Sequence, residues 1–153
     1  MKPLNLKTLA EELDDQFEEY SKYYNKTTGE IISVSFEDFR IAEDSEEGDD
    51  FSKYPDWQRE SIIEALDVII NDENYIELPN QHDINEYDIM EEFCDEIENE
   101  ELLDAIRGRG AFRRFKDKII DLGVEQDWYD FKEKALMEIA KEWCEENGVV
   151  FEK

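Results

Sequence analysis

Apolar residues recur every three or four positions through most of this chain, and this helical spacing constrains the fold more than any other feature. The longest run covers residues 127 to 143, and its apolar positions share one helical face: Trp128, Phe131, Ala135, Leu136, Ile139 and Trp143. A helix with such a stripe must bury it against other elements. Two tryptophans could instead line a partner groove, but their regular period favours the protein core.

Five other runs have the same period, and each predicts a helix. The first has its apolar face at Leu6, Leu9, Ala10, Leu13, Phe17 and Tyr20, with Asn5 as the N-cap. The second begins at Asp56 as its cap and has its face at Ile62, Ala65, Leu66 and Ile69. Ile63 and Ile70 widen this face, which predicts burial on more than one side.

The other three predicted helices lie between residues 83 and 123. Asp83 and Glu86 have capping-box spacing and predict the start of a helix. The core positions of that helix are Tyr87, Met90, Phe93, Cys94 and Ile97. A short helix follows around Leu102, Leu103 and Ile106. The next helix has on its inner face Phe112, Phe115, Ile119 and Leu122, and Gly123 ends it.

Extended structure is predicted in three places. The stretch "YYNKTTGEIISVS" has two β-prone runs around a turn in which Gly29 supplies a positive φ, and this pattern predicts a hairpin. "NYIEL" predicts a short strand stopped by Pro79, and "VVFEK" a terminal strand. A hairpin alone is marginal in water, so helices must cover it. We therefore expect a single α+β domain over residues 1–153, with five or six helices and a small antiparallel sheet.

The net charge of −27 limits the partners that this protein can bind. A charge of this size repels nucleic acids and anionic membranes and attracts basic partners. It therefore favours a protein partner over nucleic acid or a membrane, although the same charge could serve solubility alone. A third interpretation is mimicry of a nucleic acid backbone by the acidic faces of residues 11–19 and 43–50.

The sequence also bounds the compartment and one loop. No run approaches the ~18 apolar residues of a membrane span, and the N-terminal residues lack the apolar core of a signal peptide. Cys94 and Cys144 are the only cysteines, and we interpret them as reduced thiols of a cytoplasmic protein. "EDSEEGDD", at residues 43–50, lacks an apolar anchor and predicts a flexible acidic loop over 43–52.

One basic segment, "RGRGAFRRFKDK" at residues 107–118, interrupts this acidic chain with six basic residues and one acidic residue. Its arginines could pair with carboxylates of neighbouring helices, and Arg113 has the spacing to pair with Asp117. They could also bind a phosphate with the amides freed by the glycines, or contact nucleic acid. The candidate binding residues are Arg107, Gly108, Arg109, Gly110, Arg113 and Arg114.

Catalytic and metal-binding patterns are scarce, so the sequence predicts no catalytic residue, metal ligand or cofactor. His82 is the only histidine, which excludes histidine-rich zinc sites. An EF-hand alignment on Gly48 places Tyr54 where a bidentate glutamate is required. "RGRG" has neither the Walker nor the dinucleotide spacing, and no serine lies in G-x-S-x-G. These absences favour a non-enzymatic protein.

The segments "RGRGAFRRFKD" (107–117), "WYDF" (128–131) and "EWCEENG" (142–148) resemble a bacterial family filed as uncharacterised. The stretches "YYNKTTGEII" and "YIELP" are similar to other parts of that family. The resemblance implies a small bacterial cytoplasmic protein and brings no activity, cofactor or catalytic residue. We expect a binding or regulatory module for a macromolecular partner. The alternatives are a nucleic-acid-mimicking inhibitor of a basic protein, and an enzyme or sensor that binds a phosphorylated small molecule at residues 107–114.

Overall fold

The structure is a computed structural model that describes residues 3–15, 19–80 and 83–153. This part of the chain contains seven α-helices, a short 3-10 helix at Asp72–Asn74 and five short strands. The helices are α1 Leu6–Asp14, α2 Phe36–Asp44, α3 Asp56–Ile70, α4 Glu86–Glu96, α5 Glu100–Ala105, α6 Ala111–Asp121 and α7 Glu125–Asn147. The strands are β1 Leu4–Asn5, β2 Tyr20–Asn25, β3 Ile31–Ser35, β4 Tyr75–Glu77 and β5 Phe151–Glu152. The predicted α+β class is confirmed.

The small antiparallel sheet, in the order β3-β2-β4, separates two hydrophobic clusters. Neighbouring tyrosines of β2 point to opposite faces, as strand geometry requires. Tyr24 packs edge-on against Trp143 of α7, with ring centroids 6.0 Å apart, and Tyr23 packs against Phe39 of α2 at 5.7 Å. The hairpin is therefore covered on both faces by helices, α2 and α3 on one side and α7 on the other.

Aromatic rings at the crossing of α4, α6 and α7 form the centre of the larger cluster. Phe93, Phe115 and Trp128 are nearly inaccessible to solvent. The Phe115 and Trp128 centroids are 4.7 Å apart, and Phe93 lies 5.5 Å from Trp128, all at steep interplanar angles. Edge-to-face pairs of this kind add ~0.5–1.5 kcal/mol beyond area burial. These contacts fix how α4 and α6 sit on α7.

The chain ends meet in an arrangement that the sequence does not predict. β1 pairs in parallel with β5, with Leu4 opposite Phe151. Asn5 then caps α1, because its side chain accepts a hydrogen bond from the Thr8 amide at 3.0 Å, as expected. Tyr20, which was expected on the same helix, instead begins β2, and Phe17 lies outside the described residues.

Helix α2 was not predicted, and it includes the first two residues of the predicted acidic loop. Ser35 caps α2 by accepting a hydrogen bond from the Asp38 amide at 3.1 Å, and Glu43 and Asp44 form the last turn of the helix. The following loop has an apolar anchor, because Phe51 is only 2% exposed. Arg59 donates hydrogen bonds to the Phe51 and Tyr54 carbonyls at 3.4 and 3.3 Å. Flexibility over residues 43–52 remains a prediction.

Two predicted helix starts are wrong. α3 has Pro55 at its N-cap position, and Asp56 is its first helical residue, with no side-chain cap bond. α4 is capped by Asn85, whose side chain accepts from the Asp88 amide at 3.3 Å. Asp83 bonds back to the Asn80 amide at 3.0 Å, so it forms a local turn instead of a capping box. Asx residues compete for such roles, and spacing alone does not rank them.

Two predicted burial patterns are also wrong. α3 buries Ile62, Ala65 and Val68, but Ile63 and Ile70 are 49% and 66% exposed, so this helix is buried on one side only. A wide apolar run therefore did not mark two-sided burial here. Phe112, expected to face inward beside Phe115, is 48% exposed.

Candidate functional site

A groove with a volume of about 860 Å³ lies between α4 and α7. Its floor is apolar, formed by Ile84, Ile89, Phe93, Ile97, Phe131, Ala135 and Ile139. Phe93 of α4 contacts α7, with its ring centroid 5.4 Å from that of Phe131. Ile84, Ile89 and Phe93 are buried, so the accessible part of the floor comes from the half-buried residues Ile97, Phe131, Ala135 and Ile139.

Carboxylates line both walls of this groove. The wall from α4 and the preceding turn contributes Asp83, Asp88, Glu92 and Glu96, and the wall from α7 contributes Asp127, Asp130, Glu138 and Glu142. Lys134 is the one basic residue among the lining residues. The rows follow from helical geometry, because side chains four residues apart lie on the same face. None of these eight carboxylates forms an ion pair with another described residue.

An ion-pair cluster lies at the start of α4, outside the lining of this groove. Lys132 Nζ lies 2.8 Å from an Asp14 oxygen and 2.9 Å from a Glu86 oxygen, so it joins α1, α4 and α7. Burial alone lowers the pKa of Lys132, but hydrogen bonds and charges from Asp14 and Glu86 more than offset this, and its pKa is raised. A lysine held cationic by two carboxylates is poorly suited to act as a nucleophile. We assign it a structural role.

The four predicted arginines are all exposed, but the structure gives hydrogen-bond or ion-pair partners to Arg107 and Arg114. Arg114 Nε donates to the Ala105 carbonyl at 2.8 Å, and its two terminal nitrogens donate to the Arg107 and Arg109 carbonyls. These acceptors belong to the end of α5 and the following loop. The Arg107 guanidinium pairs with Asp104 at 3.4 Å, in an exposed pair. Arg114 therefore stabilises backbone, where the sequence suggested carboxylate partners.

Arg109 and Arg113 are exposed and make no ion pair within the described ranges, and the possible Arg113–Asp117 pair is not formed there. Gly108 and Gly110 have φ values of +77° and +75°, which explains the need for glycine at both positions. Gly110 is also the N-cap of α6, with no side-chain cap bond. Anion binding at this segment remains a prediction.

The described residues offer little support for a metal site or a reactive cysteine. No group of three or more histidine, cysteine or carboxylate side chains among them could hold a metal ion. His82 lies outside the described residues. Cys94 and Cys144 are free and buried, and burial raises the pKa of each thiol to about 11. Such thiols are almost entirely protonated at neutral pH and are therefore unreactive.

The α4–α7 groove was missed in the sequence analysis, although a signal for it was present. Asp88, Glu92 and Glu96 are spaced by four residues, and Asp130, Glu138 and Glu142 fall on one face of α7. Each row runs beside apolar positions of the same helix. Carboxylates are so frequent in this chain that neither row stood out, and only the packing of α4 on α7 brings the two rows together.

Comparison with known proteins gives one match, to a family model. The family model described as an uncharacterised protein family, UPF0158, matches residues 1–153. No curated protein and no solved structure matches the chain. Among the described residues, no helix has both the length and the apolar character needed to cross a membrane.

Proposed function

This chain belongs to the uncharacterised protein family UPF0158, and we propose from its structure that it is a non-enzymatic binding module. The proposed ligand is a cationic amphipathic helix of a partner protein, and the proposed site is the α4–α7 groove. The observation that carries this proposal is the combination of an apolar floor with eight wall carboxylates that form no ion pair with another described residue. An apolar floor rewards the burial of side chains, and the charged walls select a basic partner.

The apolar floor is long enough for about two turns of a helical ligand. Phe131 and Ile139 on the floor are eight residues apart on α7, a distance of ~12 Å along the helix axis. A ligand helix laid along this floor would place apolar residues at positions i, i+4 and i+7, the usual pattern for a helix in a groove. Its lysines and arginines would then face the carboxylates of both walls. The net charge of −27 would also accelerate encounters with basic partners.

The two alternatives have weaker support. A nucleic-acid mimic needs carboxylates spaced like phosphates and has no use for an apolar floor. A phosphate site at residues 107–114 would have to use Arg109 and Arg113, because Arg114 is bonded to backbone carbonyls and Arg107 faces Asp104. Both remain hypotheses, and no observation in the structure favours either over the groove.

The test measures fluorescence anisotropy of a labelled peptide of about 14 residues, with lysines flanking a leucine stripe at helical spacing. We expect saturable one-to-one binding that weakens as salt rises. The variant Glu92→Lys/Glu138→Lys changes one exposed residue on each wall. Two contacts worth ~0.5–1 kcal/mol each are replaced by repulsions of similar size, so the dissociation constant should rise by at least roughly 30-fold.

A matched control separates the groove from the general charge of the protein. Glu91→Lys/Glu145→Lys makes the same charge change on the same two helices, at exposed positions that do not line the groove. This control should bind the peptide within about threefold of wild type, a difference below 1 kcal/mol. A scrambled peptide of identical composition should bind at least tenfold more weakly. Equal binding of the scrambled peptide, or equal loss in the control variant, would contradict the proposal.

A further inference from the structure

Helix α6 has an outer face that is both apolar and cationic, which is unusual in this chain. Phe112 and Ile120 are 48% and 59% exposed, and Arg113 and Lys116 are exposed between them. Their spacing places all four side chains on one side of the helix. The adjoining side of the helix, with Phe115 and Ile119, is buried in the core. We call these four exposed residues the outer face of α6.

This outer face complements the α4–α7 groove in charge and in spacing. Phe112 and Ile120 are eight residues apart, so their separation along the helix axis is ~12 Å, the same as that of Phe131 and Ile139 on the groove floor. The two basic side chains lie between these apolar ends, where the walls of the groove would present carboxylates. Arg109, just before α6, is also exposed and would add positive charge at one end.

We infer that the outer face of α6 of one copy occupies the α4–α7 groove of a second copy. This inference rests on the proposed function, since it requires that the groove accept a cationic amphipathic helix. It adds that the protein carries such a helix itself. A self-contact of this kind would compete with the partner helix for the same groove.

The contact joins two different surfaces, so it is heterologous, and such contacts either close into a ring or extend into an open chain. The net charge of −27 on each copy opposes the approach. This repulsion acts over distance, whereas the pairing of Arg113 and Lys116 with carboxylates acts at contact. The Debye length is ~8 Å at 0.15 M salt and ~30 Å at 0.01 M. We therefore expect self-association to strengthen from low to physiological salt and to weaken again at high salt.

Sedimentation velocity over a range of protein concentrations tests this inference through complementation. Wild type should shift to larger species as its concentration rises. The α6 variant Arg113→Glu/Lys116→Glu and the groove variant Glu92→Lys/Glu138→Lys should each remain monomeric, because each has lost one of the two surfaces that form the contact. An equimolar mixture of the two should associate again, since the unaltered α6 face of the groove variant then meets the unaltered groove of the α6 variant.

Two further variants separate the effect of net charge from that of the apolar contact. Lys26→Glu/Lys53→Glu makes the charge change of the α6 variant at exposed residues outside the outer face and the groove, and should associate like wild type. Phe112→Ser/Ile120→Ser keeps every charge and should abolish association. Circular dichroism and the melting temperature establish that each variant is folded. A variant that is unfolded is replaced by its milder form, with glutamine in place of the reversed charge.

The outcomes separate this inference from the proposed function. A wild-type protein that stays monomeric at every concentration and salt level overturns the inference, as does association that persists in the α6, groove and serine variants. If the labelled peptide still binds the groove in that case, the proposed function stands without the self-contact. Failure of both experiments removes the groove as a helix-binding site.

Discussion

Arg114 is expected to stabilise the protein although its side chain lies at the surface. Its guanidinium bonds to the carbonyls of Ala105, Arg107 and Arg109, which end α5 and form the loop to α6. Each bond is worth ~0.5–1 kcal/mol at a site where water competes, so Arg114→Ala should lower the free energy of unfolding by about 2 kcal/mol. With a urea m-value of ~2 kcal/mol/M, the unfolding midpoint should fall by about 1 M.

Arg113 provides a matched control for this prediction, because it is the neighbouring arginine on the same helix and makes no ion pair within the described part of the chain. Arg113→Ala should change stability by less than ~0.5 kcal/mol. Arg114→Lys keeps the charge but cannot donate in the same planar fork, so it should lose most of the stability that Arg114→Ala loses. Equal costs for Arg113→Ala and Arg114→Ala, or no cost for Arg114→Lys, would refute this reasoning.

Three other predictions follow from the same structure. In urea unfolding, Gly110→Ala should lower the stability of the protein more than Gly108→Ala does. Both positions have a positive φ, which costs an alanine ~1 kcal/mol. Of the two, only a Cβ at Gly110 would contact Arg114, at 3.1 Å. Lys132→Met should cost about 1 kcal/mol at neutral pH, because two half-exposed carboxylates lose their partner. The pKa of Lys132 is raised in the folded state, so its contribution to the free energy of unfolding is complete below the usual lysine pKa of ~10.4. This contribution is lost as the pH rises through the folded pKa. The difference in stability between wild type and variant should therefore narrow in alkaline unfolding experiments. Cys94 and Cys144 should resist iodoacetamide at pH ~8 in the folded protein and react in urea, because the pKa of each buried thiol is about 11. Rapid labelling of the native protein would contradict their burial.

Much of the fold could be predicted because its helices are amphipathic and locally punctuated. The hairpin around Gly29, the strand at Tyr75–Glu77 and the end of α7 at Gly148 are confirmed. α2 was missed because its sequence, "FEDFRIAED", offers few apolar positions and ends in the acidic run. The pairing of β1 with β5 joins residues almost 150 positions apart, and no local pattern encodes such a contact.

Less of the candidate site could be predicted, because burial and pairing depend on packing. Phe112 and Phe115 look alike in the sequence, but α6 is rotated so that only Phe115 enters the core. Arg114 and Arg113 are likewise adjacent and chemically identical, and only the path of the 106–110 loop brings carbonyls to one of them. The groove requires two distant rows of carboxylates to face each other, which follows from the aromatic contacts of Phe93 with α7.

The binding of a cationic amphipathic helix in the α4–α7 groove is tested by nuclear magnetic resonance. The isotope-labelled protein is titrated with the lysine- and leucine-containing peptide of the anisotropy measurement, and the backbone amide chemical shifts are monitored. We predict that the largest shifts fall on α4 residues 88–96 and α7 residues 127–142, which line the groove. The shifts should saturate at one equivalent of peptide. Shifts spread evenly over all acidic surfaces, or concentrated outside these two helices, would contradict the claim.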